Sequence, residues 1–385
     1  MTLDEQMIRR AIRLAMNGRG SVEPNPMVGC VLVRDDRIIG EGWHTHFGGP
    51  HAEPTALADC IWRGESPAGA TAYVTLEPCC HTNKKTPPCA PRLIEAKIAR
   101  VFVGCLDPNP EVNGRGIVTL RDAGIDVVRA DEKLESECKQ LIAAFLKWNR
   151  ARLPYVTMKW AETAEGKVAG AHGARLQISG PVASHQVHRL RARSDVIMIG
   201  SQTAITDNPM LTARDIPEPR PLLRYVLDRR RRVPLSAKLF QTARAVPVVV
   251  GFGPEHYSAS DTSQLKALGV DVYPTPFLDR ALIDLQTRKI SGQLATHVLI
   301  EAGPTLANAF FTDGLVDRLW VLKSKCIFVN DANAPIAAQI PRTFIQVGEA
   351  DLGDDKLIEF LNSNSEAFFA AVPSADFVLA SQAPT

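Results

Sequence analysis

Long apolar runs are absent from this chain, and no stretch approaches the ~20 residues that a membrane-spanning helix needs. The first six residues include two acidic side chains and lack the apolar core of a signal peptide. Neither sign of charge dominates, because 44 Lys and Arg residues face 42 Asp and Glu residues, for a net charge of +2. This balance indicates no polyanionic partner. We therefore expect a cytoplasmic protein that binds neither a membrane nor nucleic acid.

The glycine-rich pattern Gly-x-Gly-x-x-Gly is also absent, so the sequence does not indicate an ordinary Rossmann dinucleotide site. The 385 residues, 45% of them apolar, suffice for roughly two or three domains. Disulfides are not expected among the eight cysteines, because no export signal is found. Cys30, Cys105 and Cys138 lie in apolar segments and are predicted to pack in the core.

Hydrophobic periodicity predicts alternating strands and helices in the first part of the chain. The predicted strands are 28–34, 37–42, 71–76, 101–105 and 125–129. The predicted helices are 4–17, 52–62, 90–99, 117–123 and 134–148. This alternation indicates a layered α/β domain with a mostly parallel sheet.

A polar segment that ends in proline, residues 149–154, marks the predicted domain boundary. We place one domain at residues 1–147 and a second at 153–385, with another α/β series. Its predicted strands are 155–160, 196–199, 223–227, 246–250, 270–273 and 297–301. Its predicted helices are 182–192, 263–268, 281–286 and 305–313.

His51, Glu53, Cys79 and Cys89 have the chemistry of a catalytic zinc site. Zinc with three His and Cys ligands keeps a fourth position for water, which becomes a nucleophile near neutral pH. Glu53, two residues from His51, can reach that water and carry its proton to a leaving amine. The pattern His-x-Glu with Pro-Cys-x-x-Cys is the known signature of zinc deaminases. The residues therefore indicate zinc-dependent deamination.

The second cysteine of that signature is missing, because Thr82, a poor zinc ligand, stands in its place. Cys89 is the next candidate for the third ligand. The side chain of Cys80 should point elsewhere, since it directly follows Cys79. His81 can serve either as a metal ligand or as a substrate contact. Scattered core cysteines beside a buried histidine are the alternative without a metal.

Together these segments resemble the RibD family of bifunctional riboflavin biosynthesis enzymes. The matching segments in the first half are PNPMVGCV at 24–31, GWH at 42–44, PHAE at 50–53, ATAYVTLEPC at 70–79, TPPC at 86–89, DPNP at 107–110 and NGRG at 113–116. The resemblance implies a cytidine-deaminase-like α/β/α domain and makes Cys89 the third zinc ligand. It implies that 2,5-diamino-6-(5-phosphoribosylamino)pyrimidin-4(3H)-one is the substrate, with Asn25 holding the base. His81, Lys84 and Lys85 are candidates to contact the substrate or its phosphate, although a solvated loop explains the two lysines equally well.

The second half resembles the reductase domain of the same family. The matching segments are YVTMKWA at 155–161, EGKVA at 165–169, VHRLRA at 187–192, DVIMIG at 195–200, TDNPMLTAR at 206–214 and EAGPTL at 301–306. The resemblance implies a dihydrofolate-reductase-like α/β domain that uses NADPH to reduce the ribosyl group to ribityl. The implied substrate contacts are Arg191, Asp207, Leu211, Arg214 and Glu301, and the implied cofactor contacts are Ala161, Thr203, Asp207, Gly303, Pro304 and Thr305.

Elementary chemistry supports several of these assignments. Gly303 follows a predicted strand and Thr305 opens a predicted helix, so free backbone N–H groups there can hold a cofactor phosphate. Arg191 and Arg214 can bind the substrate phosphate in a bidentate manner, or can be surface arginines. The basic run 229–232 is a solvated turn or, less favoured, a clamp for a 2′-phosphate. We also expect a homo-oligomer.

Four positions differ from what the reductase family usually carries, and one of them is Asn208, where the family often has a second Asp. Thr163 and Glu165 replace Ser and Asp, and Gln177 replaces an aromatic residue. They motivate an alternative in which only the deaminase is active and the second domain is a structural or dimerisation module. A deaminase acting on nucleic acid is a further alternative, which the balanced charge disfavours.

Overall fold

The computed structural model describes residues 1–82, 86–216, 220–256, 258–325, 332–369 and 372–382. The chain forms two compact units, Met1–Ala151 and Arg152–Thr385, and each is described by itself. Among the described residues, no helix has both the length and the apolar character that crossing a membrane requires.

Five strands form the sheet of the first unit, as far as its described residues show. They are β1 (Gly29–Arg34), β2 (Arg37–Trp43), β3 (Thr71–Leu76), β4 (Arg100–Cys105) and β5 (Asp126–Arg129), in the order β2-β1-β3-β4-β5. The sheet is mixed: four of its five strands run in one direction, as expected for a mostly parallel sheet, and β1 runs in the opposite direction. β3, β4 and β5 are parallel, but β1 is antiparallel to both β2 and β3. Asp35 and Asp36 both have positive φ, which suits the two-residue hairpin that forces β1 and β2 to be antiparallel.

The helices of this unit are α1 (Leu3–Ala15), α2 (Ala52–Trp62), α3 (Cys89–Glu95), α4 (Arg115–Asp122), α5 (Glu132–Leu141) and α6 (Ala143–Ala151). A capping box begins α1, because Thr2 and Glu5 each accept a hydrogen bond from the backbone N–H of the other. The predicted helix 134–148 is two helices, since Ile142 (φ −110°, ψ 23°) leaves the helical region. Ile142 is itself buried, so the apolar pattern continues across the break and hides it.

Glycines bring α1 and α2 close to the sheet. A Cβ on Gly29 would lie 2.0 Å from the carbonyl oxygen of Ala11 in α1. A Cβ on Gly42 would lie 2.3 Å from the backbone nitrogen of Ala56 in α2. Any larger residue would push the helices away, so Gly29 lets α1 pack against β1 and Gly42 lets the start of α2 pack against β2.

The strands of the second unit, over its described residues, are β6 (Tyr155–Glu162), β7 (Val196–Gly200), β8 (Leu223–Leu227), β9 (Val248–Phe252), β10 (Asp271–Pro274), β11 (Lys289–Ile290), β12 (Gln293–Leu294), β13 (His297–Glu301), β14 (Arg318–Ser324), β15 (Phe344–Leu352) and β16 (Asp355–Asn362). Nine of them form one sheet in the order β10-β9-β8-β7-β13-β6-β14-β16-β15. In this order, the seven neighbouring strands from β10 across to β14 are parallel to one another. β16 is antiparallel to both of its neighbours, β14 and β15. All six predicted strands are confirmed, whereas β14, β15 and β16 were not predicted.

The helices of the second unit are α7 (Pro181–Ala192), α8 (Ser201–Thr206), α9 (Lys238–Gln241), α10 (Ala259–Ala267), α11 (Leu278–Asp284), α12 (Pro304–Thr312) and α13 (Ala375–Ser381). Among the described residues of this unit, two large apolar clusters of buried side chains form the core. Because β6 to β10 and β13 are parallel, their carboxyl ends lie along one edge of the sheet. Ligands of open α/β sheets bind at that edge.

Candidate active sites

His51, Cys79 and Cys89 come together in the first unit. His51 Nδ1 lies 3.7 Å from Cys79 Sγ and 3.4 Å from Cys89 Sγ, and the three ligand atoms all lie within 4.8 Å of one another. Tetrahedral zinc, with bonds of about 2.05 Å to nitrogen and about 2.3 Å to sulfur, separates such a pair by about 3.6 Å. The two nitrogen–sulfur distances therefore fit a shared zinc ion. In the described residues, this is the one group of three or more His, Cys, Asp or Glu side chains close enough to hold a metal.

Local structure brings these three side chains together. His51 precedes the first residue of α2, Cys79 follows β3, and Cys89 is the first residue of α3. The backbone N–H groups of Cys89 and Ala90 both donate to the Cys79 carbonyl, at 3.0 and 3.1 Å. Thr86 Oγ1 lies 3.2 Å from His51 Nε2, so it orients the ring with Nδ1 toward the sulfurs.

Glu53 lies in the first turn of α2 and is only 3% exposed. Burial raises the pKa of Glu53, and the nearby Cys79 sulfur raises it further. A carboxyl group of raised pKa, beside a potential metal site, is suited to taking up and releasing a proton near neutral pH.

Asn25 is linked to this site by His44, a residue to which the sequence alone assigned no role. Its amide Nδ2 lies 3.2 Å from Nε2 of His44, whose Nδ1 lies 2.8 Å from the Pro50 carbonyl oxygen. The rings of His44 and His51 are 5.2 Å apart. Because a carbonyl can only accept, Nδ1 of His44 carries the proton and Nε2 accepts from the Asn25 amide. The Oδ1 atom of Asn25 is thereby oriented away from His44.

The loop at 107–116 is held by Glu77, two residues before Cys79. The buried Glu77 carboxylate accepts hydrogen bonds from the backbone N–H groups of Asp107 (3.3 Å), Gly114 (2.8 Å) and Ile117 (3.2 Å). His81 lies 3.8 Å from Glu111 of the same loop. Lys84 and Lys85 lie outside the described residues.

A cavity of about 1460 Å³ opens at the carboxyl edge of the second sheet. Every predicted substrate or cofactor residue of this unit lines it: Ala161, Arg191, Thr203, Asp207, Leu211, Arg214, Glu301, Gly303, Pro304 and Thr305. Its volume exceeds the roughly 300–1,000 Å³ of ordinary ligand pockets, which leaves room for a dinucleotide and a second ligand.

Glu301 forms the charged centre of this cavity with Arg191 and Lys159. Arg191 Nε and Nη2 donate to the two oxygens of Glu301, at 2.6 and 2.8 Å. Burial alone would raise the pKa of Glu301, but Arg191 outweighs it and lowers the pKa to about 2. Lys159 is the register partner of Glu301 on the neighbouring β6, and burial lowers the pKa of its ammonium group. Arg191 is therefore engaged with a carboxylate rather than turned freely toward a phosphate.

Arg214 presents a second positive group. The guanidinium of this exposed residue lies 3.2 Å from Nε2 of His188, and its backbone N–H donates to Nδ1 of His188 at 3.3 Å. Burial lowers the pKa of His188, and the charges of Arg191 and Arg214 lower it further. Burial raises the pKa of Asp207, although the charges of Arg175 and Lys159 oppose this shift.

The positions that depart from the family pattern have defined local roles. Thr163 is fully buried, and its hydroxyl accepts a hydrogen bond from the backbone N–H of Lys167 at 3.1 Å. Gln177 lines the cavity and donates to the Ser179 carbonyl at 2.8 Å. Thr163 is therefore part of the packed interior, whereas Gln177 faces the cavity.

Sequence reasoning missed Lys159, His188 and Arg175, all of which line the cavity. One signal for Lys159 was available, because a charged residue interrupts the apolar strand YVTMKWA. His188 lies in the quoted motif VHRLRA and was overlooked beside its arginines.

These two sites, a His-Cys-Cys set with an adjacent buried glutamate and a dinucleotide-sized cavity on a parallel sheet, define a class of two-domain enzyme that couples a zinc deaminase to a reductase. The family model described as the cytidine and deoxycytidylate deaminase zinc-binding region matches residues 1–105, and the RibD C-terminal domain matches residues 154–326.

Relatives cover nearly the whole chain. The riboflavin biosynthesis protein RibD of Actinobacillus pleuropneumoniae is 38% identical over 92% of this chain and 93% of its own. The solved structure of Acinetobacter baumannii RibD, form 1, is 36% identical, with a TM-score of 0.77 over 93% of this chain and 98% of its own. A Thermotoga maritima structure, described as a diaminohydroxyphosphoribosylaminopyrimidine deaminase and 5-amino-6-(5-phosphoribosylamino)uracil reductase, is 32% identical, with a TM-score of 0.78 over 94% of this chain and 99% of its own.

The chain belongs to the RibD family. It is a bifunctional deaminase and reductase of riboflavin biosynthesis, with a zinc-binding deaminase domain and an NADPH-dependent reductase domain.

Proposed function

We propose that residues 1–147 deaminate 2,5-diamino-6-(5-phosphoribosylamino)pyrimidin-4(3H)-one and that residues 153–385 then reduce the ribosyl group of the product to ribityl. The observation that carries the first half is the placement of His51, Cys79 and Cys89 at zinc-ligand distances beside the buried Glu53. The second half is supported by the cavity in which Glu301, Lys159 and Asp207 meet the proposed cofactor residues.

In the deaminase site, His51 Nδ1 and the sulfurs of Cys79 and Cys89 are the proposed ligands. Zinc, when bound, supplies the Lewis acidity that makes water a nucleophile near neutral pH. Glu53 takes a proton from that water and delivers it to the leaving amino group. Asn25 holds the pyrimidine through Oδ1, the atom that His44 leaves available, and His81 contacts the substrate on the side of the 107–116 loop.

In the reductase site, NADPH supplies the hydride, and the protein positions the two ligands. The nine-residue α12 begins at Pro304, with Gly303 as its N-cap, and the backbone N–H groups of Gly303 and Thr305 hold the cofactor pyrophosphate. Pro304 has no N–H to donate and contacts the cofactor through its ring. Ala161 and Thr203 line the same cavity as further cofactor contacts.

The sugar is bound by the charged groups between the strands. The ionised Glu301 accepts hydrogen bonds from sugar hydroxyls, and Asp207 orients a hydroxyl or the nicotinamide ribose. Lys159 donates a proton to the ring oxygen of the sugar, whose bond to C1 breaks when C1 receives the hydride. Arg214 and Leu211 border the bound sugar, with Arg214 contacting its phosphate, while Arg191 supports Glu301 and adds positive charge. We further propose that the protein binds no nucleic acid and that it forms a homo-oligomer in the cytoplasm.

Product analysis of the full-length protein tests both halves. Mass spectrometry should find the deaminated ribosyl product without NADPH and the ribityl product with NADPH. Glu53→Gln keeps the size of the side chain but cannot carry the proton, so deamination should fall by at least ~10²-fold. The same variant should reduce supplied deaminated substrate at the normal rate. Loss of both activities would contradict the separation of the two sites, and unchanged deamination would remove Glu53 from the mechanism.

A further inference from the structure

The loop at residues 207–214, between α8 and β8, has a strained backbone. Asn208 and Leu211 have positive φ angles of 41° and 50°. For a bulky residue such as Leu211 this conformation is rarely populated, and it persists only where the surrounding structure enforces it. The same loop carries Leu211 and Arg214, the proposed contacts to the phosphorylated sugar. Contacts from outside the loop must therefore determine where these two side chains lie.

Hydrogen bonds hold the loop on both sides of its middle. The backbone N–H of Lys238, the first residue of α9, donates to Asn208 Oδ1 at 2.8 Å. Arg191 Nη1 donates to the Thr212 carbonyl at 3.3 Å. The carbonyl of Met210 lies between these two points, and the residue that binds it belongs to none of the sequence motifs.

That residue is Arg224, the second residue of β8, which is fully buried. Its Nη1 donates to the Met210 carbonyl at 3.0 Å and to Thr242 Oγ1 at 2.9 Å. Its Nη2 donates to the Thr242 carbonyl at 3.1 Å and to the carbonyl of Val246. One planar guanidinium group therefore joins the middle of the loop to the segment after α9.

Packing alone does not explain a charged side chain at this position. Within the part of the chain that the structure describes, no carboxylate pairs with Arg224, and burial lowers the pKa of its guanidinium to about 10. Its Nε also has no hydrogen-bond partner there. Burying a cation without a counter-ion is unfavourable, and an apolar side chain of similar length would be tolerated better. The bond to Met210, which lines the cavity, connects this arginine with the reductase site.

We propose that Arg224 is a positioning residue of the reductase, which holds the Met210 carbonyl and so keeps the 207–214 loop in the strained form that places Leu211 and Arg214 against the phosphorylated sugar. Arg224 itself is absent from the described cavity lining, so it acts through the loop rather than on a ligand. The proposal rests on the proposed function, in which this loop binds the substrate of the reductase.

The test compares the full-length Arg224→Met variant with wild type in steady-state reduction of deaminated substrate. Methionine fills much of the volume of the arginine stem but donates no hydrogen bond, so the loop should relax from its strained form. The KM for the deaminated substrate should rise about 10-fold, the effect of one lost hydrogen bond. The kcat should change by less than about 3-fold, because Lys159 and Glu301 lie on β6 and β13, outside the loop. A purely structural residue would leave the KM of the folded enzyme unchanged.

Amide hydrogen exchange measures the loop without turnover. In Arg224→Met, the amides of residues 210–214 and of Lys238 should exchange faster, while those of β7 and β9, the neighbours of β8, should exchange as in wild type. Equally faster exchange in the loop and in both strands would mean that the whole unit is destabilised, and would overturn the positioning role.

Tyr225→Phe is the matched control. Tyr225 follows Arg224 on β8, is equally buried and points to the opposite face of the sheet, where its hydroxyl lies 3.4 Å from Thr275 Oγ1. The change removes a buried polar contact of the same strand but none to the loop. The KM and the loop exchange should stay at their wild-type values. A rise in KM equal to that of Arg224→Met would show that any weakening of β8 affects the site, and would overturn the proposal.

Arg224→Lys keeps the charge but replaces two nitrogens by one, so it cannot bond the loop and the segment after α9 as arginine does. Its KM should lie between those of wild type and Arg224→Met, and it carries the test if the methionine variant does not fold. A folded variant at this position with the KM and the loop exchange of wild type would overturn the positioning role while the reductase stands. Wild-type protein that reduces no deaminated substrate would instead overturn the proposed function, and this assignment with it.

Discussion

Replacing Arg191 with methionine isolates the group that keeps Glu301 ionised. Methionine fills much of the volume of the arginine stem but provides neither the charge nor the two hydrogen bonds of 2.6 and 2.8 Å. Arg191 and Glu301 are only 12% and 14% exposed, so solvent cannot replace the lost partner well.

The size of the effect follows from the pKa of Glu301, which is about 2 against an ordinary value of 4.5. This difference of about 2.5 units corresponds to about 3.4 kcal/mol. Because the pKa is lowered in the folded state, the stabilisation is fully present above pH 4.5 and is lost as the pH falls toward 2. Without Arg191, burial dominates and the pKa of Glu301 should rise above 4.5. Lys159, His188 and Asp207, which also face Glu301, remain in place.

The assay is the initial rate of NADPH oxidation with deaminated substrate between about pH 5 and 8. This range tests the ionisation of Glu301, because only its carboxylate form accepts hydrogen bonds from the sugar hydroxyls. Wild type should show no loss of kcat from Glu301 in this range, whereas Arg191→Met should lose kcat at the acid end. Its reductase domain should also unfold at lower temperature, by an amount equivalent to roughly 3 kcal/mol.

Arg214→Met is the matched control, because Arg214 is exposed and contacts His188 rather than a carboxylate. It should raise the KM for the phosphorylated substrate and leave the acid limb of kcat where it is. If Arg191→Met raises only the KM, as Arg214→Met does, then Arg191 binds the phosphate and our account of Glu301 is wrong.

Three further outcomes follow from the first unit. Elemental analysis should find about one zinc per chain, which Cys89→Ser should largely remove and Cys80→Ser should retain; the reverse result would mean that the third ligand is misassigned. Glu77→Gln should keep the zinc but speed amide hydrogen exchange in the 107–116 loop, because a side-chain amide is a weaker acceptor for the three backbone N–H groups. Unchanged exchange would show that Glu77 does not hold the loop. Gly29→Ala should lower the free energy of unfolding of this unit by about 1–3 kcal/mol, since the added methyl group would lie 2.0 Å from the Ala11 carbonyl oxygen. An unchanged free energy in calorimetric unfolding would mean that α1 can shift freely.

The elements predicted best are those whose local pattern and surroundings agree. α2 and β3 have the predicted bounds, 52–62 and 71–76. In β3, five of six residues are buried and most are β-branched, aromatic or aliphatic, so the strand is evident without its neighbours. The His-x-Glu pair was equally evident, because the two residues are separated by one position at the start of a helix.

The missed strands show the limit of this reasoning. β15 lies at the sheet edge and buries only its two terminal residues, so it lacks an apolar alternation. β16 contains Glu359, which is fully buried. Its carboxylate tolerates burial because it accepts hydrogen bonds from Trp320 Nε1 and from the backbone N–H of Ser374, at 2.9 and 2.7 Å. A charged residue facing the core breaks the apolar period from which a strand is predicted.

The site of the second unit was harder to predict than its fold. Arg191 and Glu301 are 110 positions apart and meet only because β13 lies between β6 and β7. From the sequence, Arg191 was assigned to a phosphate by its charge, since nothing local indicates that a carboxylate accepts hydrogen bonds from its Nε and Nη2. The strand order, and not any motif, places Glu301 beside Lys159.

The hydrogen bonds of Glu77 have a consequence for how the 107–116 loop can change between relatives. All three donors to its carboxylate are backbone N–H groups, so the path of the loop does not depend on which side chains the loop carries. Glu111, for example, is exposed and can be exchanged without moving the loop. Glu77 itself lies two residues before Cys79, so its loss would release the loop beside the segment that carries a proposed metal ligand. Variation in this loop is therefore confined to its side chains, while one carboxylate fixes its position.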